Sequence, residues 1–169
     1  MEKWIVEYSK YKPEEELLRE TICTLGNGYF ASRGAIDGAV ANDIHYPGTY
    51  LAGGYNRLRS EISGRVIQNE DLVNWPNWLV LRFRIGSGPW FNIDQVKILD
   101  FKQSLNLKFG LLERKIHFVD EEGKESVLTT NRMVHMEKKH LGAIHWHLVP
   151  KNWSGKVTIR SGLDGGVVN

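Results

Sequence analysis

The feature that most constrains this chain is a run of alternating apolar and polar residues at 77–85, "NWLVLRFRI". Every odd-numbered residue from Leu79 to Ile85 is apolar, whereas Arg82 and Arg84 occupy even-numbered positions. Successive side chains of a β-strand point to opposite faces of the sheet. The segment therefore predicts a strand that buries one face against a second layer of structure.

Similar segments continue along the chain, with turn signals between them. The turn "GSGPW" follows Ile85, and Trp90–Ile93 is predicted to return as its partner strand. A polar tip at 121–124, "EEGK", predicts a hairpin between two longer strands. The four longer segments predicted as strands after Ile93 are 111–120, 126–136, 140–150 and 156–163.

One short segment, Pro13–Glu20, has the features of a helix, with proline at its start and acidic residues in its first turn. The remaining pattern predicts about nine or ten short strands with regular turns. The sequence thus predicts an all-β fold, an antiparallel β-sandwich with one short N-terminal helix, as a single domain over residues 1–169.

The stretch "TLGNGYFASRG" carries Gly26, Gly28 and Ala31 at the G-x-G-x-x-A spacing of dinucleotide-binding loops. That motif requires a helix directly after the loop, because the helix N-terminus binds the pyrophosphate. The residues that follow, "SRGAIDGAVAND", lack helical periodicity. The interpretation we favour is a turn between two strands, in which glycine tolerates positive φ.

Charge and composition exclude several classes of partner. The formal net charge is +2 and basic residues are scattered, which argues against nucleic acid or an anionic membrane as partner. The charged start "MEKWIVEYSKYKPEEELLRE" lacks a signal-peptide pattern, so a cytoplasmic location is expected. The single Cys23, in the apolar setting "TICTL", is expected to be a buried thiol.

The residues that could carry chemistry do not form a catalytic or metal-binding pattern. His145 and His147 share a strand face near His140, but a further ligand at metal-site spacing is missing, so half-exposed strand histidines are favoured. Glu70 and Asp71 are adjacent, so on a strand they point to opposite faces and cannot act as a pair. We expect neither catalytic residues nor a metal in this chain.

The aromatic residues give a clearer signal. The segment "VNWPNWL" places Trp75 and Trp78 beside Asn74 and Asn77. Indole faces with flanking amides suit a sugar ring, which needs an apolar stacking surface and hydrogen-bond partners. Large aromatic residues more often serve cores and interfaces. These four residues are therefore candidates for carbohydrate contact or for contact with another domain.

The order of the motifs carries a family resemblance. The segments "RETICTLGNGYFASRGAIDG", "YPGTYLAGGYN", "EDLVNWPNWLVLRFRI", "LDFKQSLNLKFGLLER" and "NRMVHMEKKHLGAIHWHLVP" occur in this sequence. Together they resemble the N-terminal domain of family 65 glycoside hydrolases, a family of maltose, trehalose and kojibiose phosphorylases and some hydrolases. The resemblance runs through essentially the whole chain, and L-G-N-G-Y and V-N-W-P-N-W-L are its most specific parts.

The resemblance implies a galactose-mutarotase-like supersandwich joined to a catalytic (α/α)₆ barrel. In the family that barrel carries the general-acid Glu and the inorganic phosphate site that cleave an α-linked glucose disaccharide, without a metal, and members are commonly dimers. This sequence stops at "GLDGGVVN", so the barrel is absent and the sandwich is expected to be incomplete. Self-association, or origin as a fragment of a longer protein, is then expected.

Within the glycine-containing segment the chain is less acidic after Asp37 than the family is, while Arg33 remains a candidate contact residue. We therefore expect an accessory domain of an α-glucoside phosphorylase or hydrolase that is inactive alone. The alternative is a free-standing carbohydrate-binding β-sandwich. A small enzyme in its own right is disfavoured because an acid/base pair is missing.

Overall fold

The computed structural model describes residues 4–169, so the first three residues of the charged N-terminal stretch lie outside it. The chain forms twelve strands over these residues, one α-helix and two short 3₁₀ helices, at Pro13–Glu15 and Ile93–Gln95. The helix α1 is Glu16–Ile22, and the strands are β1 Ile5–Tyr8, β2 Leu25–Gly26, β3 Phe30–Ser32, β4 Thr49–Leu51, β5 Tyr55–Ile62, β6 Arg65–Leu72, β7 Asn77–Ile85, β8 Lys97–Asn106, β9 Leu111–Val119, β10 Glu125–Val134, β11 Gly142–Pro150 and β12 Val157–Asp164.

A five-stranded antiparallel sheet forms the larger layer, with strand order β1-β8-β9-β10-β11. One half of its inner face packs against the antiparallel pair β7-β12. The core between these layers is apolar and aromatic because each strand turns its apolar side chains inward. Its buried members are Ile36, Phe83, Ile85, Ile93, Phe101, Ile116, Phe118 and Leu128.

The other half of the inner face is covered differently. Helix α1, the loop after β3 and the small sheet β2-β3-β4 lie on this side, and a second apolar cluster lies beneath them. Cys23 belongs to that cluster and is fully buried, as expected from its apolar setting. The cluster consists of Cys23, Leu25, Leu105, Leu112 and Val134.

Most of the predicted elements are confirmed. The hairpin with its tip at 121–124 joins β9 to β10, and the two later segments form β11 and β12. The turn between β2 and β3 contains Gly28 at φ +84°, which is the conformation that favours glycine. The helical segment begins at Pro13 as a 3₁₀ turn and continues as α1 to Ile22.

The prediction of a strand at Trp90–Ile93 is wrong. The backbone N–H of Phe91 donates to the carbonyl of Phe83, but the chain then enters the 3₁₀ helix at Ile93. The Asn92 side chain accepts from the N–H of Asp94 and caps that helix, which ends the extended conformation. The strand that pairs with β7 along its length is β12 instead.

Within the described residues 4–169, the smaller layer contains only the two strands β7 and β12. Ile159 of β12 pairs with Phe83, so the two side chains share the core-facing side, yet Ile159 is 54% exposed. The expectation of an incomplete sandwich stays a prediction. Over residues 4–169, no helix is long and apolar enough to cross a membrane.

Candidate functional site

A buried layer of charged groups lies under α1 and the loop after β3. Asp37 of this loop forms ion pairs with Arg132 of β10 at 3.0 Å and Arg114 of β9 at 3.5 Å. Both arginines are almost fully buried, and each also donates to a loop carbonyl, Arg114 to Gly34 at 2.8 Å and Arg132 to Ala35. The loop is therefore held to the sheet by buried charge-assisted hydrogen bonds.

The close approach of the loop depends on Gly34. A Cβ at this position would lie 2.6 Å from the Cβ of Cys23, which packs directly against the loop. The backbone N–H of Gly34 also donates to the carbonyl of Glu20 at 2.7 Å. The "RG" of the sequence motif therefore serves packing between the loop and α1.

A second polar chain runs from α1 toward the 3₁₀ helix at Ile93–Gln95. Glu20 accepts from the backbone N–H of Tyr46 at 2.8 Å and contacts Nδ1 of His45 at 2.9 Å. On the other side of the imidazole, Nε2 lies 3.4 Å from the Tyr11 hydroxyl and 3.5 Å from Asp94. Tyr11 donates to Asp94 at 2.5 Å, and both burial and this bond raise the pKa of Tyr11.

Glu16 adds a third carboxylate to this buried layer. Burial raises its pKa, and interactions with Arg114, His45 and Arg19 oppose that change. Its Oε1 lies 3.7 Å from Nη1 of Arg19 but has no hydrogen-bond partner among the described residues. Burial likewise lowers the pKa of Arg132 to about 10, against the effect of Asp37.

The ligand atoms of Glu16, Glu20 and His45 lie within 4.8 Å of one another, close enough to consider a metal. The imidazole Nδ1 is already bonded to Glu20, and Arg19 brings a guanidinium to Glu16. These contacts describe an internal ion network, in which charged groups neutralise one another after losing water. The expectation that the protein needs no metal remains a prediction.

A small polar cavity of about 220 Å³ opens beside this layer. Asp37 and His45 reach it from the buried side, while Arg82, Trp90 and Gln95 line its outer part. The guanidinium groups of Arg84 and Arg160 each lie 5.1 Å from the Trp90 ring. The cavity can hold water or a small polar group, and Trp90 also makes cation–π contacts with both guanidinium groups.

The two candidate tryptophans lie in different environments. Trp78 is half-buried, stacks edge-to-face on Phe30 with ring centroids 5.7 Å apart, and donates from Nε1 to Ser32 at 3.0 Å. Trp75 is 40% exposed and has Gly54 against its indole. Trp75 is thus the one of the two with a substantial exposed surface.

The amides of Asn74 and Asn77 are buried and bonded within the chain. Asn74 accepts from the N–H of Thr49 at 2.9 Å and donates to the carbonyl of Val168 at 2.9 Å. Asn77 accepts from the N–H of Leu79 at 2.9 Å and donates to a loop carbonyl. Both amides therefore connect loops within the domain, and carbohydrate or interdomain contact remains a prediction for this set.

Arg33 is half-buried where the loop after β3 meets α1. Its guanidinium donates to the carbonyl of Leu17 at 3.0 Å and lies 5.0 Å from the ring centre of Tyr46. Among the other candidates, His145 and His147 are exposed on β11, as favoured from the sequence. Glu70 and Asp71 are successive, exposed residues of β6.

The inward-facing arginines were missed in the sequence, and so was Gln103 of β8, which accepts from Nε of Arg114 at 2.8 Å. The alternation of the strands nevertheless contains the signal for the arginines. In β9, Arg114 has the same parity as its buried neighbours Leu112 and Ile116, and in β10 Arg132 has the parity of Leu128. A charged residue at a core-facing position indicates a buried partner of opposite charge. Asp37 supplies that partner from a distant loop.

The fold and this geometry define a β-sandwich domain whose buried charges hold its own loops together. The profile of the family described as "Glycosyl hydrolase family 65, N-terminal domain" matches residues 6–169. The chain therefore belongs to this family of N-terminal domains, as its motifs indicated.

Individual proteins agree with this assignment. An uncharacterized glycosyl hydrolase of Mycobacterium tuberculosis is 43% identical over 98% of this chain, and the chain spans 12% of its length. Kojibiose phosphorylase of Halothermothrix orenii is 31% identical, and trehalose 6-phosphate phosphorylase of Lactococcus lactis is 30% identical. Each match covers 98% of this chain but only 20% and 21% of the relative.

A solved structure, a putative kojibiose phosphorylase from the human microbiome, superposes with a TM-score of 0.87. The superposition covers 98% of this chain and 22% of that structure, at 20% identity. At this identity the similarity shows the fold. The chain thus corresponds to about a fifth of the phosphorylases it resembles.

Proposed function

We propose that this domain is the accessory N-terminal part of an α-glucoside phosphorylase or hydrolase and supports a separate catalytic domain. The observation that carries the proposal is the family match over residues 6–169, in a chain that spans about a fifth of its phosphorylase relatives. In these relatives, the matched domain is one part of a larger protein.

The internal contacts of the carboxylates support a role without catalysis. Glu20 and Asp37 are bonded to groups of the domain itself and are buried. A glycosidase instead needs two carboxyl groups facing the same sugar, about 5–10 Å apart. We propose that the general acid and the phosphate site belong to the catalytic barrel, where phosphate or water attacks the anomeric carbon.

The remaining parts of the proposal concern the whole polypeptide. We propose an α-linked glucose disaccharide as substrate, inorganic phosphate as co-substrate, no metal, a cytoplasmic location and a dimeric assembly. The printed activities of the relatives, on kojibiose and trehalose 6-phosphate, support the substrate class. Which disaccharide is bound depends on residues of the barrel.

The test measures release of glucose from kojibiose, trehalose and maltose, with and without inorganic phosphate. The longer polypeptide is expected to cleave one of them, and residues 1–169 alone none. Removal of residues 1–169 from the longer polypeptide is expected to lower its thermal midpoint. Phosphorolysis or hydrolysis by residues 1–169 alone would overturn the proposal, as would an unchanged midpoint after the removal.

A second candidate, a carbohydrate-binding module, is favoured only by the exposed indole of Trp75. Stacking of a sugar on Trp75 would change its fluorescence on titration with maltose, trehalose or kojibiose, and Trp75→Ala would abolish the change. Trp78→Phe is the control, because that ring packs inside the domain. The accessory role predicts that none of the three sugars changes the fluorescence.

A further inference from the structure

Helix α1 has its charged side inside and its apolar side outside. Glu16, Arg19 and Glu20 are at most 4% exposed. The exposed residues of the helix include Leu17 at 48%, Leu18 at 62% and Ile22 at 46%. A surface helix of a globular protein normally has the opposite arrangement. We call Leu17, Leu18 and Ile22 the α1 face.

The polar contacts of α1 within the buried layer fix this reversed orientation of the helix. Glu20 bonds to His45 and to the N–H of Tyr46, and Arg19 donates to the carbonyl of Lys10 at 2.6 Å. Rotating α1 to bury its leucines would leave these buried charges without partners, which is strongly unfavourable. The α1 face must therefore remain outside the domain.

A line of direct contacts connects the backbone of helix α1 to the last residues of the domain. Arg33 donates to the carbonyl of Leu17 and lies over the ring of Tyr46. The Tyr46 hydroxyl donates to the carbonyl of Val168 at 2.8 Å. In a family of N-terminal domains, the segment that follows the position of Asn169 therefore starts close to the α1 face.

From these contacts we infer that the α1 face docks against the part of the longer polypeptide that follows residue 169. This inference rests on the proposed accessory function and assigns the surface through which it acts. Three side chains are too few for a stable interface between separate molecules, which usually buries about 1,200–2,000 Å² in total. A covalently linked domain needs a smaller surface, because the linkage supplies a high effective concentration.

Thiol labelling in the longer polypeptide tests the α1 face directly. Leu18→Cys and Ile22→Cys are compared with Phe109→Cys, a control in the turn after β8, where the phenylalanine is 72% exposed. Labelling is quantified at each site by peptide mass mapping under native conditions. The buried Cys23, whose pKa is raised by burial, gives the slow background rate.

Docking predicts that the thiols at 18 and 22 react at least tenfold more slowly than the thiol at 109. Within the domain Leu18 and Phe109 are similarly exposed, so the difference must come from a cover outside it. Equal rates at the three sites would overturn the inference. If the rates are equal while removal of residues 1–169 still destabilises the remainder, the accessory function stands and a different surface carries it.

Cross-linking from a photo-reactive residue at position 18 shows whether the α1 face is covered by the same polypeptide or by a second copy. In a mixture of ¹⁴N- and ¹⁵N-labelled protein, docking within one polypeptide gives cross-linked peptides of a single isotope class. Mixed-isotope cross-links would show that a second copy covers the α1 face, and would overturn the inference.

Discussion

The two halves of the five-stranded sheet are covered in opposite ways. Under β7 and β12 the contact is made by apolar side chains, with Phe83 stacked on Phe91 at 4.8 Å and edge-to-face with Trp146. Under α1 and the loop after β3, the same sheet presents Arg114 and Arg132 to Asp37. The apolar half tolerates small changes of shape, whereas the charged half depends on every partner being present.

The largest expected effect is that of Asp37→Asn in the charged half. The substitution keeps the size of the side chain but leaves two buried guanidinium groups without a negative partner. We expect a loss of about 3–5 kcal/mol in the free energy of unfolding, measured by urea denaturation. Asp43→Asn, an exposed position of the same loop, is the control and should change it by less than about 0.5 kcal/mol.

A smaller effect is expected in the apolar half, for Ile116→Val. Ile116 is 1% exposed, and loss of one methyl group there should cost about 0.5–1.5 kcal/mol in the same urea experiment. The expected difference between the two halves is absent if Asp37→Asn costs no more free energy of unfolding than Ile116→Val. That outcome would mean that the charged half is hydrated and that its ion pairs contribute little.

The smallest effect is a change in pH dependence for Glu16→Gln. Burial raises the pKa of Glu16 above its ordinary value of 4.5, so the folded state holds the proton to higher pH than the unfolded state does. The stability from this group is fully present below about pH 4.5 and is lost as pH rises through the folded pKa. The thermal midpoint of the Glu16→Gln variant should therefore rise relative to that of the wild type as pH rises from 4 to 7.

Glu14→Gln is the matched control for this titration, because Glu14 is exposed in the preceding 3₁₀ turn. Its midpoint should follow the wild type at every pH. If Glu16→Gln also follows the wild type, folding leaves the pKa of Glu16 unchanged, because Arg114 and Arg19 offset the effect of burial.

The same comparison explains how much of the molecule could be predicted from sequence. The strands of the apolar half follow from alternation, as in Asn77–Ile85, because burial of one face is a local pattern. The strand predicted at Trp90–Ile93 does not form because the Asn92 side chain caps a 3₁₀ helix that begins at Ile93. Helix α1 was predicted at nearly its observed place.

The charged half could not be predicted because its partners are distant in sequence. Asp37 and Arg132 are 95 positions apart, and a lone aspartate in a loop normally indicates exposure. The amides of Asn74 and Asn77 were likewise judged by their neighbours in the chain, whereas their partners are backbone groups of other loops. The one signal in the sequence was that the arginines of β9 and β10 occupy positions whose side chains face the core.

The measurement that tests the central claim most directly is calorimetry of the longer polypeptide with and without Asp37→Asn. The proposal is that the buried charge layer stabilises a domain which in turn supports the rest of the longer polypeptide. It predicts that the unfolding temperatures of the domain and of the remainder fall together in the variant. A remainder that unfolds at its wild-type temperature, while the domain alone is destabilised, would contradict the claim.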